Sequence, residues 1–340
     1  MSGNLYEDFK LMFCPYWEKV WDELLSKARA PLLFEPIRKL ASEGKRLRPY
    51  LVWIGAGLTG KRDKESALRL GIAVEMVHTF ALVHDDIIDR SETRRHKPTV
   101  HRWFEKKFKK DNHFGVSAAL LAGDALLAAA FDYFYRWQNR HGWPIQVESV
   151  FHLLISEVIA GEYVEHELTA GKRKLDENIL REIASLKSGR YTMRRPLELG
   201  LALGGVLQDP LSTFAELAGI AFQVQDDVLG IIGDSSVTGK SSLSDILERK
   251  RTMVLHFALT RLTRDEKKIV KEWYASDSKK IQEAKKIRKI ISESGAPEFT
   301  WEYAEKLFQE SIKELRKARV STSQRQELEG LISMLSRRKS

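Results

Sequence analysis

Long windows of the chain carry apolar residues at helical spacing, and several are apolar almost all round. The segments at about 65–89, 116–137, 147–168, 176–203 and 211–232 are rich in Leu, Ala, Ile and Val. A helix with no wide polar face belongs inside a larger helical assembly. Towards the C-terminus the pattern changes. Segments 279–290 and 306–319 confine apolar residues to one stripe, which predicts helices packed on a surface. Strand signals are nearly absent: no Asn-Gly or Asp-Gly pair and no sustained apolar/polar alternation occurs. Neither a Pro-, Gly- or Ser-rich linker nor a solenoid repeat divides the sequence. The expectation is an all-α protein with a single domain over 1–340.

Composition narrows the class. Of 340 residues, 43% are apolar and 30% charged, near globular averages, which excludes a disordered or collagenous chain. With 21 Gly and 9 Pro, turns are too few for a loop-rich β-sandwich. The one cysteine, Cys14, excludes an internal disulfide and a thiolate zinc cluster, and it suits a reducing, cytoplasmic setting. The opening residues lack a basic start leading into an apolar run, so no signal peptide is expected. The longest apolar stretch, 114–131, carries Asp124 near its middle, and a central acid costs about 2.5–3.5 kcal/mol in a membrane helix. That stretch is therefore expected to be a buried core helix, with no transmembrane segment in the chain. Lys and Arg number 56 against 47 Asp and Glu, a net charge of +9 that suits anionic partners such as nucleic acid, a membrane surface or phosphorylated small molecules.

Two glycine patterns are decoys. Gly55-Ala-Gly57-Leu-Thr-Gly60 has the spacing of a dinucleotide-binding turn, but charged Lys61-Arg62-Asp63-Lys64 follows it and no βαβ unit surrounds it. It reads as a helix end. Around Gly233 and Gly239-Lys240-Ser241, five intervening residues stand where a phosphate loop has four, so no Walker motif is present.

The chemistry lies in acidic pairs that end apolar helices. Asp85-Asp86-Ile87-Ile88-Asp89 places Asp85 and Asp89 four apart, on one helix face, where two like charges call for a cation. Asp226-Asp227 closes a second such helix. Two pairs suggest carboxylates facing each other across a cavity, holding divalent ions for a polyphosphate. The oxygen donors favour magnesium over zinc. Cations match them: Lys45, Arg46 and Arg48 fall within four positions, Arg94-Arg95 follows the first acidic motif, and Lys187, Lys240 and Lys250 come later.

In this order, GKRLRP, HTFALVHDDIID, RRHKPTVH, LLAGDALL, LKSGRYTMRRPLELG, FQVQDD and GDSSVTGKSSLSDILERKRT resemble the trans-isoprenyl diphosphate synthases, or polyprenyl synthetases, most like archaeal geranylgeranyl diphosphate synthases. The resemblance runs from about Lys45 to Thr252. It implies a bundle of mostly antiparallel helices around a central cavity, the isoprenoid synthase fold, assembled as a homodimer. It also implies a reaction in which an allylic diphosphate (dimethylallyl, geranyl or farnesyl) ionises and condenses with isopentenyl diphosphate, giving an all-trans product of geranylgeranyl length. Farnesyl and geranylfarnesyl products are the alternatives.

By motif, Asp85, Asp89 and Asp226 would bind magnesium, or manganese in its place, with Asp86 and Asp227 beside them. Lys45, Arg48, His78 and Arg95 would hold isopentenyl diphosphate. Arg94, Lys187, Ser188, Gln223, Lys240 and Lys250 would hold the allylic diphosphate. Phe80, Ala81 and Val77, upstream of Asp85 on the same helix, would limit chain length, with Phe80 as the floor.

Three positions depart from the family pattern: Gly230 replaces a third aspartate, Glu162 an amide, and Arg249 a glycine. Two rival readings remain. His84-Asp85 could serve a His-Asp phosphohydrolase, which leaves the second acidic pair unexplained. Lysine pairs such as Lys279-Lys280 and Lys285-Lys286 could mark a nucleic-acid-binding helical protein, yet no stacking platform accompanies them.

Overall fold

The structure, a computed structural model, describes residues 5–60, 63–206, 209–233, 243–276, 278 and 280–336. Among the described residues it is helical apart from one two-stranded hairpin, and contacts group the chain into two compact units. These are Met1–His152 with Pro196–Leu207, and Leu153–Arg195 with Gln208–Ser340.

The first unit contains α1 (Leu5–Lys27), α2 (Glu35–Ala41), α3 (Leu47–Leu58), α4 (Lys64–Ile88), α5 (Val100–Phe108), α6 (Asn112–His141) and the start of α7 (Ile145–Thr169). Asp63 caps α4 by accepting from the N–H groups of Glu65 and Ser66, two donors the helix cannot satisfy itself. Most of α4 is buried, as its all-round apolar sequence requires. Residues 196–203 of α9 (Arg195–Leu203) cross α3 at backbone contact: a Cβ on Gly55 would lie 2.3 Å from the Leu197 carbonyl, and one on Gly200 2.1 Å from that of Val52. Gly55 is thus a packing glycine, and Gly60, with φ +74°, follows the helix end. No nucleotide turn forms there.

Two expectations are corrected. The 114–131 stretch is not a buried core helix. By length and composition α4 and α6 could each cross a membrane, but the apolar window is 78% buried in α4 and only 33% in α6. Helix α6 buries one narrow face of small and aromatic residues, including Ala119, Ala122, Gly123 and Phe134, and leaves Leu120 and Leu121 exposed. Secondly, a hairpin exists: β1 (Thr93–Arg94) pairs antiparallel with β2 (Lys97–Pro98). Its loop residues Arg95 and His96 have φ of 52° and 61°, the left-handed conformation that two-residue hairpin loops demand and that Asn-Gly usually supplies. The signal was invisible because Arg-His occupies those places.

The second unit contains the rest of α7, α8 (Glu177–Ala184), a π-helical segment Ser185–Arg194, α10 (Asp209–Ile232), α11 (Ser244–Leu247), α12 (Met253–Arg261), α13 (Arg264–Ala275), α14 (Ile281–Ser292), α15 (Ala296–Lys317) and α16 (Thr322–Ser336). Helix α10 runs along α15 and the π segment. On α14 only Ala284, Ile287 and Ile291 are buried, matching the predicted single stripe.

Candidate active site

In the first unit the acids sit where α4 ends. Asp89 closes the helix with its N–H on the Asp85 carbonyl at 2.8 Å, and Arg90 turns away at φ 54°. The hairpin then returns Arg94 to the helix end. Its Nε donates to Asp86 Oδ1 and an Nη to Asp85 Oδ2, both at 2.7 Å. Burial works against the Arg94 charge, but Asp86 and Asp85 more than restore it and hold its pKa above the ordinary guanidinium value. Thus Arg94 engages Asp85 and Asp86, where the sequence suggested that Asp85 and Asp89 share a cation. Arg95 faces elsewhere: it donates to the carbonyls of Leu40, at 3.3 Å, and Glu43. Burial, then Arg94 and Arg46, lower its pKa.

His78 lies about two turns before Asp85 on α4. Burial first, then the positive charges of Arg48, Arg94, Arg95 and Arg46, push its pKa well below the ordinary value. Neutral imidazole is the stable form. Cations from two separate sequence motifs therefore converge on this histidine. Lys45 is exposed, and its carbonyl accepts from the Tyr6 hydroxyl; Arg48 is half-buried. The residue between them has a different task. Arg46, at φ 52°, turns inward to pair with Glu75 at 2.7 Å and donates to the Ala41 carbonyl at 2.5 Å. Both members of the pair are buried, so Arg46 anchors the loop that presents Lys45 and Arg48. Sequence reading gave no sign of Glu75, which is one acid in a buried apolar run.

Could these acids hold a metal? The donors at the end of α4 are all carboxylate oxygens, and among the described residues no group of three His, Cys, Asp or Glu forms a ready cage. Magnesium takes one or two protein carboxylates and completes its shell with water and substrate phosphates. The donor set fits such an ion.

In the second unit α7 and the π segment meet at Lys187, which pairs with Glu162 at 2.5 Å and with Glu165. Ser188 donates to Gln223 Oε1 at 2.6 Å, and the Gln223 amide donates to Asp227 at 2.9 Å. Burial pushes the Asp227 carboxyl up to about 8; the Gln223 bond opposes this, while Asp245, Glu165 and Asp226 add to it. Asp226 is half-buried beside it on α10. Lys250 pairs with Glu248 at 3.4 Å. Lys240, Asp234 and the 234–242 segment fall outside the described residues.

Two departures acquire physical reasons. At Gly230 a Cβ would sit 2.1 Å from Asp245 Oδ2, so the Asp245 carboxylate occupies the space where a third aspartate's side chain would start. Arg249 has φ 59°, a conformation natural to glycine. Its guanidinium offsets the strain by lying 3.7 Å over the Trp273 ring and donating to the carbonyls of Ile246, Leu247, Trp273 and Ser276.

Of the chain-length candidates, Phe80 and Val77 are buried and Ala81 is half-exposed. The Phe80 ring meets His84 edge-on at 4.6 Å. His84 in turn lies against Gly123 of α6, where a Cβ would come within 2.3 Å of its Nε2. His84 therefore serves packing beside Phe80, and the His84-Asp85 dipeptide is not joined to further His ligands among the described residues.

Comparison with known proteins gives a consistent result. Residues 30–291 match the polyprenyl synthetase family. A short chain isoprenyl diphosphate synthase of Methanocaldococcus jannaschii is 33% identical over 280 residues, 80% of this chain and 78% of that protein. A geranylgeranyl diphosphate synthase of Sulfolobus acidocaldarius is 33% identical over 297 residues, 84% of each chain. Among solved structures, a geranylgeranyl pyrophosphate synthase from Corynebacterium glutamicum, complexed with isoprenyl diphosphate and magnesium, is similar with a TM-score of 0.85 at 27% identity. The likeness covers 98% of both chains.

Proposed function

Because the chain belongs to the polyprenyl synthetase family, we propose that it condenses isopentenyl diphosphate with dimethylallyl, geranyl and farnesyl diphosphates to give all-trans geranylgeranyl diphosphate. In each cycle the allylic carbon–oxygen bond breaks, a carbon–carbon bond forms to isopentenyl diphosphate, a proton leaves the new chain, and one inorganic diphosphate is released. The observation that carries this reading is the meeting of Asp85 and Asp86 with Arg94 at the end of α4, together with the convergence of Arg48, Arg94 and Arg95 on His78. Such a place holds cations against one diphosphate while presenting carboxylates to a metal for another.

In this reading Asp85, Asp89 and Asp226 hold magnesium, with manganese able to substitute, and Asp86 and Asp227 support them. The metal, when bound, neutralises charge growing on the leaving diphosphate. Lys45, Arg48, His78 and Arg95 hold isopentenyl diphosphate; neutral His78 supplies a hydrogen bond and no charge. Arg94, Lys187, Ser188, Gln223, Lys240 and Lys250 orient the allylic diphosphate. Guanidinium forks favour ionisation, because they stabilise the charge that grows on the leaving diphosphate. The chain 1–340 acts as one catalytic domain, in the cytoplasm, and as a homodimer. The exposed apolar residues Leu120 and Leu121 on α6, and Leu153 and Ile159 on α7, support a partner of the same kind. Nucleic acid has no part in this reading.

Stoichiometry tests the function. One inorganic diphosphate is expected per isopentenyl diphosphate consumed, with turnover abolished by chelation and restored by magnesium. Release of monophosphate, or release independent of isopentenyl diphosphate, would point to a phosphohydrolase.

A further inference from the structure

Lys187 is held by two carboxylates at once. Glu162 and Glu165 are three apart on α7, so they share a face, and both reach its ammonium, Glu162 at 2.5 Å. All three side chains are about one-fifth exposed, enough for a ligand to reach them and too little for water to screen them fully. The backbone enforces the meeting: a Cβ on Gly161 would lie 2.8 Å from Leu186 Cβ and 2.9 Å from Lys187 Cγ, so α7 and the π segment touch there. One ammonium offers three donors and one positive charge. With two carboxylates upon it, the ammonium is already engaged, and a diphosphate must compete with both acids for it.

We propose that Glu162 is a positioning residue that restrains Lys187 and thereby weakens the enzyme's grip on the allylic diphosphate. Glu165 alone suffices to hold the ammonium in place; the second acid sets how readily it is surrendered to an incoming diphosphate and recovered when inorganic diphosphate departs. The inference rests on the role of Lys187 assigned above. It predicts an asymmetry between the two substrates, because isopentenyl diphosphate is held by Lys45, Arg48, His78 and Arg95 of the first unit.

The test uses Glu162→Gln, which keeps shape and removes charge. Weakening a partly exposed ion pair is worth roughly 0.5–1 kcal/mol, or about two- to fivefold. The KM for farnesyl diphosphate and the inhibition constant of inorganic diphosphate are expected to fall by about that factor, with the KM for isopentenyl diphosphate unchanged. In a Lys187→Met background the same substitution is expected to change neither constant. An unchanged or raised KM for farnesyl diphosphate in Glu162→Gln overturns the proposal, as does an effect that persists without Lys187. If the wild-type protein forms no prenyl product at all, the fault lies instead with the functional reading.

Discussion

Arg94 donates from Nε to Asp86 Oδ1 at 2.7 Å, and the Asp86 side chain is 1% exposed. The same guanidinium reaches Asp85, so one residue compensates a buried acid and its neighbour, and in the proposed function it also meets the allylic diphosphate. Arg94→Gln is therefore expected to lower stability by about 1–3 kcal/mol, the cost of weakening a buried charged hydrogen bond, and to raise the KM for the allylic substrate. Arg95 bonds the Leu40 and Glu43 carbonyls instead. Arg95→Gln should mainly raise the KM for isopentenyl diphosphate. Thermal unfolding with paired KM measurements checks both, and equal effects of the two variants on both substrates would contradict the split.

Asp85→Ala and Asp226→Ala should each reduce turnover by roughly 10²–10³-fold, the usual loss when one preorganised electrostatic contact is removed. The helical circular dichroism signal should be retained. Near-normal rates in saturating magnesium would remove both residues from the metal assignment.

His78 gives a pH dependence of defined sign. Its pKa in the folded state lies below the ordinary value of 6.5, so the folded protein binds fewer protons than the unfolded chain below that pH. Stability is then full above about 6.5 and declines as pH falls. His101 is lowered too, by burial and Arg102, and contributes with the same sign. Denaturant midpoints at pH 7.5 and 5.5 should differ less in His78→Asn than in the wild type. Identical differences in the two proteins would exclude His78 as a source of the acid sensitivity.

Chain length should respond to Phe80 and Ala81 in opposite directions. Phe80 is wedged against His84, and Ala81, four before Asp85, shares the half-exposed face of that acid. Phe80→Ala is expected to lengthen the main product by at least one isoprene unit, and Ala81→Phe to shorten it towards farnesyl. Parent product from both variants, with only reduced stability, would place the limiting wall elsewhere.

The sequence carried the helices well because all-round apolar windows leave little else for α4 or α10 to be. It misjudged α6, since an apolar run does not say whether its outer face meets the same chain, and Leu120 and Leu121 do not. The turn at Arg95-His96 escaped notice because its left-handed residues are not Asn or Gly. The π segment Ser185–Arg194 was illegible for another reason: no residue type in it announces i→i+5 bonding. Its register shift is set by tertiary contact, as where Gly219 meets the Ser188 carbonyl. The acids Asp85, Asp86, Asp226 and Asp227 were readable as clustered charge in apolar surroundings. Glu75, which pairs with Arg46, and Asp245, which acts on Asp227, were not, because each is a single acid whose meaning depends on what folds against it.

The central claim is carbon–carbon bond formation up to the geranylgeranyl length, and chromatography of the products tests it most directly. The protein is incubated with magnesium, labelled isopentenyl diphosphate and, separately, dimethylallyl, geranyl and farnesyl diphosphates, and the dephosphorylated products are resolved by length. The expected result is a common geranylgeraniol product from all three starters. No labelled prenyl alcohol from any starter would contradict the prenyltransferase assignment, and accumulation of farnesol or geranylfarnesol in its place would contradict the product length.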